Sequence, residues 1–263
     1  MSDAKIQIMA VGGMLGQAVA RAAKRAGLTY CAVRHDIANL PDNAVVAPIV
    51  INCAAVLGSG KTELCEAVNT RGPQVLSEQC DRVGSRLIHV STDAVFSTEG
   101  PHSEDSRPRP QDPYGVSKLR GEIVRAPHLT VRTAFIGLGR YGVLAELLRG
   151  EAPVKASDKL LWTGHTVDTV AELLIVLGLR SDITGLIHIP GEAWSRWQLV
   201  NHICERLGNC PEIIRDDSMV SDRRLCSLRW GTLGLPTPPS FTQQVDRLLQ
   251  GQEWLEYQVS VAK

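Results

Sequence analysis

The sequence predicts an α/β fold built on a doubly wound parallel sheet, with a smaller α/β lobe toward the C-terminus. Two observations predict it. Strand-like and helix-like stretches alternate through the first half of the chain, and the strand candidates are apolar nearly throughout rather than at every second residue. Residues 5–11 read as the first strand, and 14–27 as a helix stopped at Gly27. A second strand follows at 28–34 and a third, almost wholly apolar, at 45–54. Residues 62–83 read as helix, 86–91 as a strand, 114–125 as helix and 129–136 as a strand. The stretch between Phe96 and Pro113 holds four prolines (Pro101, Pro108, Pro110, Pro113) among charged residues, which marks a loop long enough to expect a function or mobility. Beyond Arg132 the alternation loosens. Helical patterns at 143–149, 167–179 and 195–207 mix with Gly/Pro-bounded pieces, including an apolar strand at 185–190.

A chain of 263 residues can bury a large core. Its 28 basic and 28 acidic residues cancel, which argues against a general nucleic-acid or membrane-surface binder. No apolar run approaches the roughly 20 residues of a spanning helix, and the polar start Met1-Ser2-Asp3 is not a signal peptide. A soluble, cytoplasmic protein is expected. Seven cysteines without a CxxC pair read as reduced thiols, and neither they nor the histidines show metal-site spacing.

The first chemical motif is Ala10-Val11-Gly12-Gly13-Met14-Leu15-Gly16, between the first strand and the first helix. A helix N-terminus offers free amides and partial positive charge to a pyrophosphate, and glycines let the phosphate approach the backbone; this is the arrangement of a Rossmann-type dinucleotide site. Ala10 stands where the first glycine is expected. If that position needs positive φ, a methyl there costs roughly 1 kcal/mol. A turn needed only for packing is the bland alternative. At the end of the second strand, Arg34 favours the 2′-phosphate of NADP, while Asp36 just behind it keeps NAD open. Gly58-Ser59-Gly60-Lys61-Thr62 resembles the end of a P-loop, but the glycine required five places before Gly60 is Ala55, so nucleotide hydrolysis is disfavoured.

The strongest constellation is Ser91-Thr92-Asp93 at a strand end, followed by Tyr114-Gly115-Val116-Ser117-Lys118 opening a helix. Tyr114 and Lys118, four apart, share one helical face. An ammonium beside the phenol is expected to lower its pKa from about 10, and Thr92 can hold the same substrate oxygen. Such groups suit hydride transfer to or from a carbonyl, with the cofactor supplying the hydride and the protein the proton.

These motifs resemble the extended short-chain dehydrogenases/reductases, within them the dTDP-4-dehydrorhamnose reductase branch. Val50-Ile51-Asn52-Cys53-Ala54-Ala55 is similar to that branch's "VINxAA", and Ala67-Val68-Asn69 to "AxxVN". His89-Val90-Ser91-Thr92-Asp93-Ala94-Val95-Phe96 is similar to "hxSTDYVF", residues 112–122 to "xPxxxYGxSKxxGE", and Val131-Arg132-Thr133 to "LRTS". Farther on, Gly185-Leu186-Ile187-His188 resembles "GxYH" and Ser195-Arg196-Trp197 the helix start after it. The likeness is specific over 49–133 and loose after Gly137.

The resemblance implies Thr92, Tyr114 and Lys118 as catalytic residues. Around the cofactor it implies Gly12, Gly13, Met14, Leu15, Gly16, Arg34, Asp36, Ile37, Cys53, Ala54, Ala55 and Asn69, besides Tyr114 and Lys118. It implies NADPH as the preferred cofactor and a nucleotide-activated 4-keto-6-deoxy sugar as substrate, with Thr92, Asp93, Thr133, Trp162, Arg223 and Arg224 toward the sugar nucleotide. Trp162 could stack on a sugar or base, or be a half-buried core residue. The two arginines suit a diphosphate, with surface salt bridges as the alternative. Residues 1–133 with 164–190 would form the NAD(P)-binding domain, and 134–163 with 191–263 the substrate lobe. Departures are Ala10 for glycine, Ala94 for the branch's tyrosine, a short segment after Arg34, and residues 159–165 in place of an acidic-Gln stretch. Ala94 also replaces the glutamate of the superfamily's sugar dehydratases, which disfavours elimination. A sugar-nucleotide epimerase and a non-catalytic NADP-binding regulatory subunit, like the β subunit of methionine adenosyltransferase, remain as alternatives, and a homodimer is left open.

Overall fold

In the computed structural model, residues 5–33, 36–57, 62–139, 141–150, 152–208, 210–251 and 254 are described. The chain runs through β1 (Ile6–Met9), α1 (Met14–Arg25), β2 (Tyr30–Val33) and β3 (Ile49–Asn52). A helical stretch follows, made of α2 (Thr62–Cys65), a π-helical piece (Glu66–Arg71) and α3 (Gly72–Val83); then come β4 (Arg86–Thr92), α4 (Pro113–Arg120), β5 (Leu129–Thr133) and β6 (Phe135–Ile136). The second half adds α5 (Val143–Arg149), β7 (Val154–Ala156), β8 (Leu160–Trp162), β9 (His165–Thr166), α6 (Val167–Leu179) and β10 (Gly185–His188). It ends with β11 (Trp194–Ser195), α7 (Arg196–Leu207), β12 (Ile213–Arg215), β13 (Ser221–Asp222) and α8 (Phe241–Gln250).

Six strands form one parallel sheet in the order β2-β1-β3-β4-β5-β10. All residues of β1, β4 and β5 are buried, polar ones such as Gln7, His89 and Thr130 included, because helices cover both faces of the sheet. On one face α1 and α6 pack Ala18, Val19, Val170 and Leu174 against Ile8, Ile88 and Val131. On the other, Leu76 and Cys80 of α3 pack against Met9, Val50 and Leu87. The chain goes from β1 to β2 on one side and returns to β3 on the other. The winding therefore reverses between β1 and β3, where a crevice opens beyond the carboxyl ends of the strands.

A second apolar cluster joins Leu144 and Leu147 of α5, Leu199, Val200 and Ile203 of α7, and Phe241 and Val245 of α8. Trp230 and Leu235 fall in the stretch expected to belong to the smaller lobe, yet they pack into the core of the six-stranded sheet. Among the described residues no helix is long and apolar enough to cross a membrane.

Several sequence expectations need correction. The helix expected to reach residue 125 stops at Arg120, and the Gly121 that follows lies so close to Asn69 that a Cβ would fall 1.9 Å from its carbonyl oxygen. The strand expected at 129–136 is two strands in different sheets, interrupted at Ala134. The proline-rich loop is tied down: Gly100 and His102 donate to the carbonyls of Asp222 and Arg224, and Asp222 and Cys226 donate back to Thr98 and His102. Finally, the thiols are not all reduced. Gly208 ends α7 at φ 71° and turns the chain back, so that Cys204 and Cys210 meet at a Cα separation of 5.5 Å and form a disulfide.

Candidate active site

The turn after β1 holds Ala10 at φ 56°, alone among the described non-glycine residues in the left-handed region. The methyl therefore carries the expected cost of about 1 kcal/mol. Gly16 is required by contact, since a Cβ there would lie 2.3 Å from the Ala10 carbonyl oxygen. No side chain caps the start of α1 and its first turn has no acidic residue, while the space beside Gly12 is open to at least 4 Å. The leading amides of α1 are thus left for an anion, the arrangement a pyrophosphate needs. The side chains of Leu15 and Ile37 are buried in the core, Ile37 against Gly72. The carboxylate of Asp36 caps a 3-10 turn, accepting from the Ala38 amide at 3.0 Å and from Asn39 Nδ2 at 3.2 Å. Arg34 and the P-loop-like Gly58, Ser59, Gly60 and Lys61 lie outside the described residues.

Beyond β3, Cys53, Ala54 and Ala55 enter a loop shaped by two asparagines. Asn52 Oδ1 accepts from the Ala54 amide at 3.0 Å. Asn69, fully buried, exchanges two bonds of 2.9 Å with the backbone of Val56 and donates to Ser117 Oγ at 3.0 Å. Its amide is engaged by the backbone of Val56 and by Ser117, so Asn69 fixes the course of this loop beside the crevice.

Thr92 closes β4, its hydroxyl donating to Asp93 Oδ1 at 3.0 Å and accepting from the Ala94 amide at 3.1 Å. Asp112 caps α4 through the Gly115 amide at 2.7 Å, with Pro113 in the first turn. Gly115 lets that helix settle on the strand end, because a Cβ would meet the Ala94 carbonyl oxygen at 2.2 Å. Thr92, Asp93 and Tyr114 consequently line one cavity of about 460 Å³ with Leu57, Ala94 and Arg223. Burial and the Asp93 carboxylate raise the pKa of the half-buried Tyr114 phenol, and a hydrogen bond with Thr92 opposes them. Burial likewise raises the carboxyl of Asp93.

Lys118 departs from expectation. It is turned into the protein, 2% exposed, with Nζ donating to the Val90 carbonyl at 2.7 Å and standing 3.5 Å from His89 Nε2. Burial pulls its pKa down to about 8, against the pull of Glu122 and Cys53. Without a bound cofactor, Nζ is engaged by the Val90 carbonyl, and burial holds the phenol above its ordinary value. Sequence reading missed Asn52 and His89 as members of this site. The signal was slight: Asn52 is the one polar residue of β3 and stands opposite His89 of β4.

A second cavity, of about 500 Å³, is walled by Ile136, Val143, Leu161, Trp162 and Leu199 and shares Asp93 and Arg223 with the first. Trp162 lies flat on Gly164, where a Cβ would fall 1.4 Å from ring atom Cζ3, and meets Phe241 edge-on at 5.7 Å. Thr133 pairs with Thr92 across β4 and β5. Three residues expected at the substrate each hold a buried polar atom without a partner: Thr133 Oγ1, Trp162 Nε1 and Arg223 Nε. Among the described residues the Arg223 guanidinium forms an ion pair with Asp112 at 3.7 Å, and its charge also acts on the Asp93 carboxylate. Arg224 does not join them. Its guanidinium is held by Asp222 at 2.9 and 2.6 Å and it lines neither cavity, so the salt-bridge alternative applies to it.

A family model described as the RmlD substrate binding domain matches residues 4–218. The dTDP-4-dehydrorhamnose reductase of Mycobacterium tuberculosis is 31% identical over 266 residues, covering 88% of this chain and 88% of the relative. The spore coat polysaccharide biosynthesis protein SpsK of Bacillus subtilis is 32% identical over 216 residues, 73% of this chain and 75% of the relative. The crystal structure of dTDP-4-dehydrorhamnose reductase from Bacillus anthracis, in complex with NADP, shares the fold at a TM-score of 0.85 and 19% identity, covering 94% of this chain and 99% of that one. With the family model matched over residues 4–218 and a relative 31% identical across 88% of its length, the chain belongs to the RmlD substrate binding domain family, in the dTDP-4-dehydrorhamnose reductase-like branch of the extended short-chain dehydrogenases/reductases.

Proposed function

We propose that this chain is an NAD(P)H-dependent reductase, with NADPH preferred, of a nucleotide-activated 4-keto-6-deoxy sugar carried on dTDP. The observation that carries the reading is the meeting of the two cavities at Asp93 and Arg223. One is lined by Thr92 and Tyr114, and the other by Trp162, whose indole N–H is buried without a partner among the described residues; Arg223 lines both. The names of the relatives support the substrate class.

The uncapped start of α1, the open side of Gly12 and the crevice between β1 and β3 fit a dinucleotide, with Gly13 and Met14 at its pyrophosphate and Ala54 and Ala55 alongside. When bound there, NADPH supplies the hydride. Thr92 and Tyr114 hold the sugar's carbonyl oxygen, and Tyr114 gives its phenolic proton to the oxygen as charge develops on it. A phenol above its ordinary pKa of about 10 is fully protonated at neutrality, and it yields its proton only to a strong base such as the developing alkoxide. Arg223 offers a guanidinium to the diphosphate, and Trp162 an aromatic face and an N–H to the sugar or base. The strands and helices through residue 133 and over 164–190 serve the cofactor in this reading. Those of 134–163 and after 191 serve the sugar, apart from the segment of Trp230 and Leu235. A cytoplasmic site of action goes with these substrates, and there Cys204–Cys210 would be open to reduction.

Mixing the purified chain with NADPH and a dTDP-4-keto-6-deoxy sugar tests the proposal. Loss of reduced-nicotinamide absorbance in proportion to product, absent in Tyr114→Phe, is expected. Sugar converted without net cofactor oxidation would instead identify an epimerase.

A further inference from the structure

Arg223 stands on extended chain held from both sides. On one side its amide donates to the Leu161 carbonyl of β8 at 3.0 Å, and Leu225 exchanges hydrogen bonds of 2.7 and 3.1 Å with the Thr163 hydroxyl. On the other side residues 98–102 and 222–226 run as a parallel ribbon. Backbone hydrogen bonds of 2.7–2.9 Å join Thr98, Gly100 and His102 to Asp222, Arg224 and Cys226.

The ribbon is fastened where both of its chains leave it. The half-buried Glu104 turns its carboxylate on three donors: Oε1 accepts from the His188 amide at 2.9 Å and from the Ser227 hydroxyl, and Oε2 from the Leu228 amide at 2.9 Å. Burial alone would raise this carboxyl, but those bonds outweigh it and hold its pKa below the ordinary carboxylate range, so the group is a pure acceptor at neutrality. His188 ends β10, the outermost strand of the six-stranded sheet, whose inner edge pairs with β5. On its outer edge Arg229 donates to the carbonyls of Thr184, at 2.9 Å, and Leu186, and His188 Nδ1 donates to the Cys226 carbonyl at 3.0 Å. Side chains thus take the place of a further strand, and they bind this edge to residues 226–229, just past Arg223.

We propose that Glu104 is a positioning residue, which docks this ribbon on the outer edge of β10 and so fixes the Arg223 guanidinium relative to Thr92 and Tyr114. A carboxylate is required there, not merely a polar group of its size. In Glu104→Gln one of the two positions becomes an NH2, set either against the Leu228 amide or against the two donors at Oε1. The use of Arg223 on a diphosphate rests on the reductase reading above; the docking does not.

The test uses the full chain labelled with 15N-arginine. Arg223 Nε is buried, so its N–H should exchange slowly with water, and its signal is assigned by loss in Arg223→Lys. Glu104→Gln should speed that exchange about tenfold or more, and leave unchanged the Nε–H of Arg132, which is bonded to Glu122 at 2.8 Å. Calorimetric titration with dTDP gives a second readout. Glu104→Gln should weaken binding about tenfold in the wild-type background and less than about twofold in Arg223→Ala, where a residue acting through Arg223 has nothing left to act on. Unchanged exchange at Arg223 in the folded variant, or equal weakening in both backgrounds, overturns the proposal. If Glu104→Gln does not fold, Ser227→Ala removes one of the three donors, and the same criteria apply to its smaller effects. A wild type that binds no dTDP counts against the reductase reading and leaves the exchange at Arg223 to decide the docking.

Discussion

Where β1 and β3 end, the polar side chains already have partners within the protein. Asn52 holds Ala54, Asn69 holds Val56 and Ser117, and Asp36 caps its own turn. Across the cleft, Trp162 Nε1 and Arg223 Nε are buried with none among the described residues. A buried polar atom left unpaired costs about 1–3 kcal/mol, which a ligand returns when it supplies the missing partner. The nucleotide wall is therefore shaped by the protein alone, and the sugar wall is completed by what binds. Substitutions on the first wall should act on stability and cofactor together, whereas those on the second should separate stability from substrate affinity.

The largest expected effect lies where the walls meet. Tyr114→Phe should lower kcat by roughly 10²–10⁴-fold, the range of a lost general acid, with NADPH affinity changed by less than about threefold; steady-state kinetics and a fluorescence titration check both. Next comes Lys118, on the nucleotide wall. Its pKa falls from 10.5 to about 8 on folding, so between those values the unfolded chain binds more protons and unfolding free energy rises with pH. The rise should total about 3 kcal/mol, with the charged-state penalty fully present below pH 8, and Lys118→Met should flatten it in urea titrations across that window.

On the sugar wall, Arg223→Ala should raise KM for the sugar nucleotide about tenfold or more while leaving NADPH binding unchanged, as expected for one charge-assisted contact. Trp162→Phe sharpens the contrast, because it removes an unpaired N–H. The free protein should unfold no more easily than the wild type, and substrate should bind more weakly. The smallest change is Ala10→Gly. Relief at φ 56° should add up to about 1 kcal/mol of stability and tighten NADPH by no more than about fivefold.

The two walls also differed in how well the sequence could be read. Motifs of the nucleotide wall are local: a turn that needs a bare Gly16, a strand end bearing Thr92 and Asp93, and a Tyr–Lys pair one helical turn apart. The strand–helix alternation likewise placed the sheet, with α6 found at its true ends. The internal partners of that wall were harder to read, since the bonds of Asn69 to Val56 and the packing of Ile37 on Gly72 join segments far apart in sequence. The sugar wall is assembled from strands of two or three residues, too short to show a period, whose pairing is set by distant contacts. Arg223 and Arg224 are neighbours on extended chain, so they face opposite ways, and only one can reach the cavity. The missed α8 did carry a signal, the Ser240–Gln243 capping box at its start. The disulfide carried none, because six-residue spacing is closed only by the left-handed turn at Gly208.

The most direct test of the central claim follows the hydride itself. The chain would be supplied with NADPH deuterated at the transferable position and with a dTDP-4-keto-6-deoxy sugar, and the product examined by mass spectrometry and NMR. The reductase account predicts one deuterium on the former keto carbon for each NADPH oxidised. A sugar product free of deuterium, or bound NADPH that is never oxidised in the presence of the keto-sugar, would contradict it.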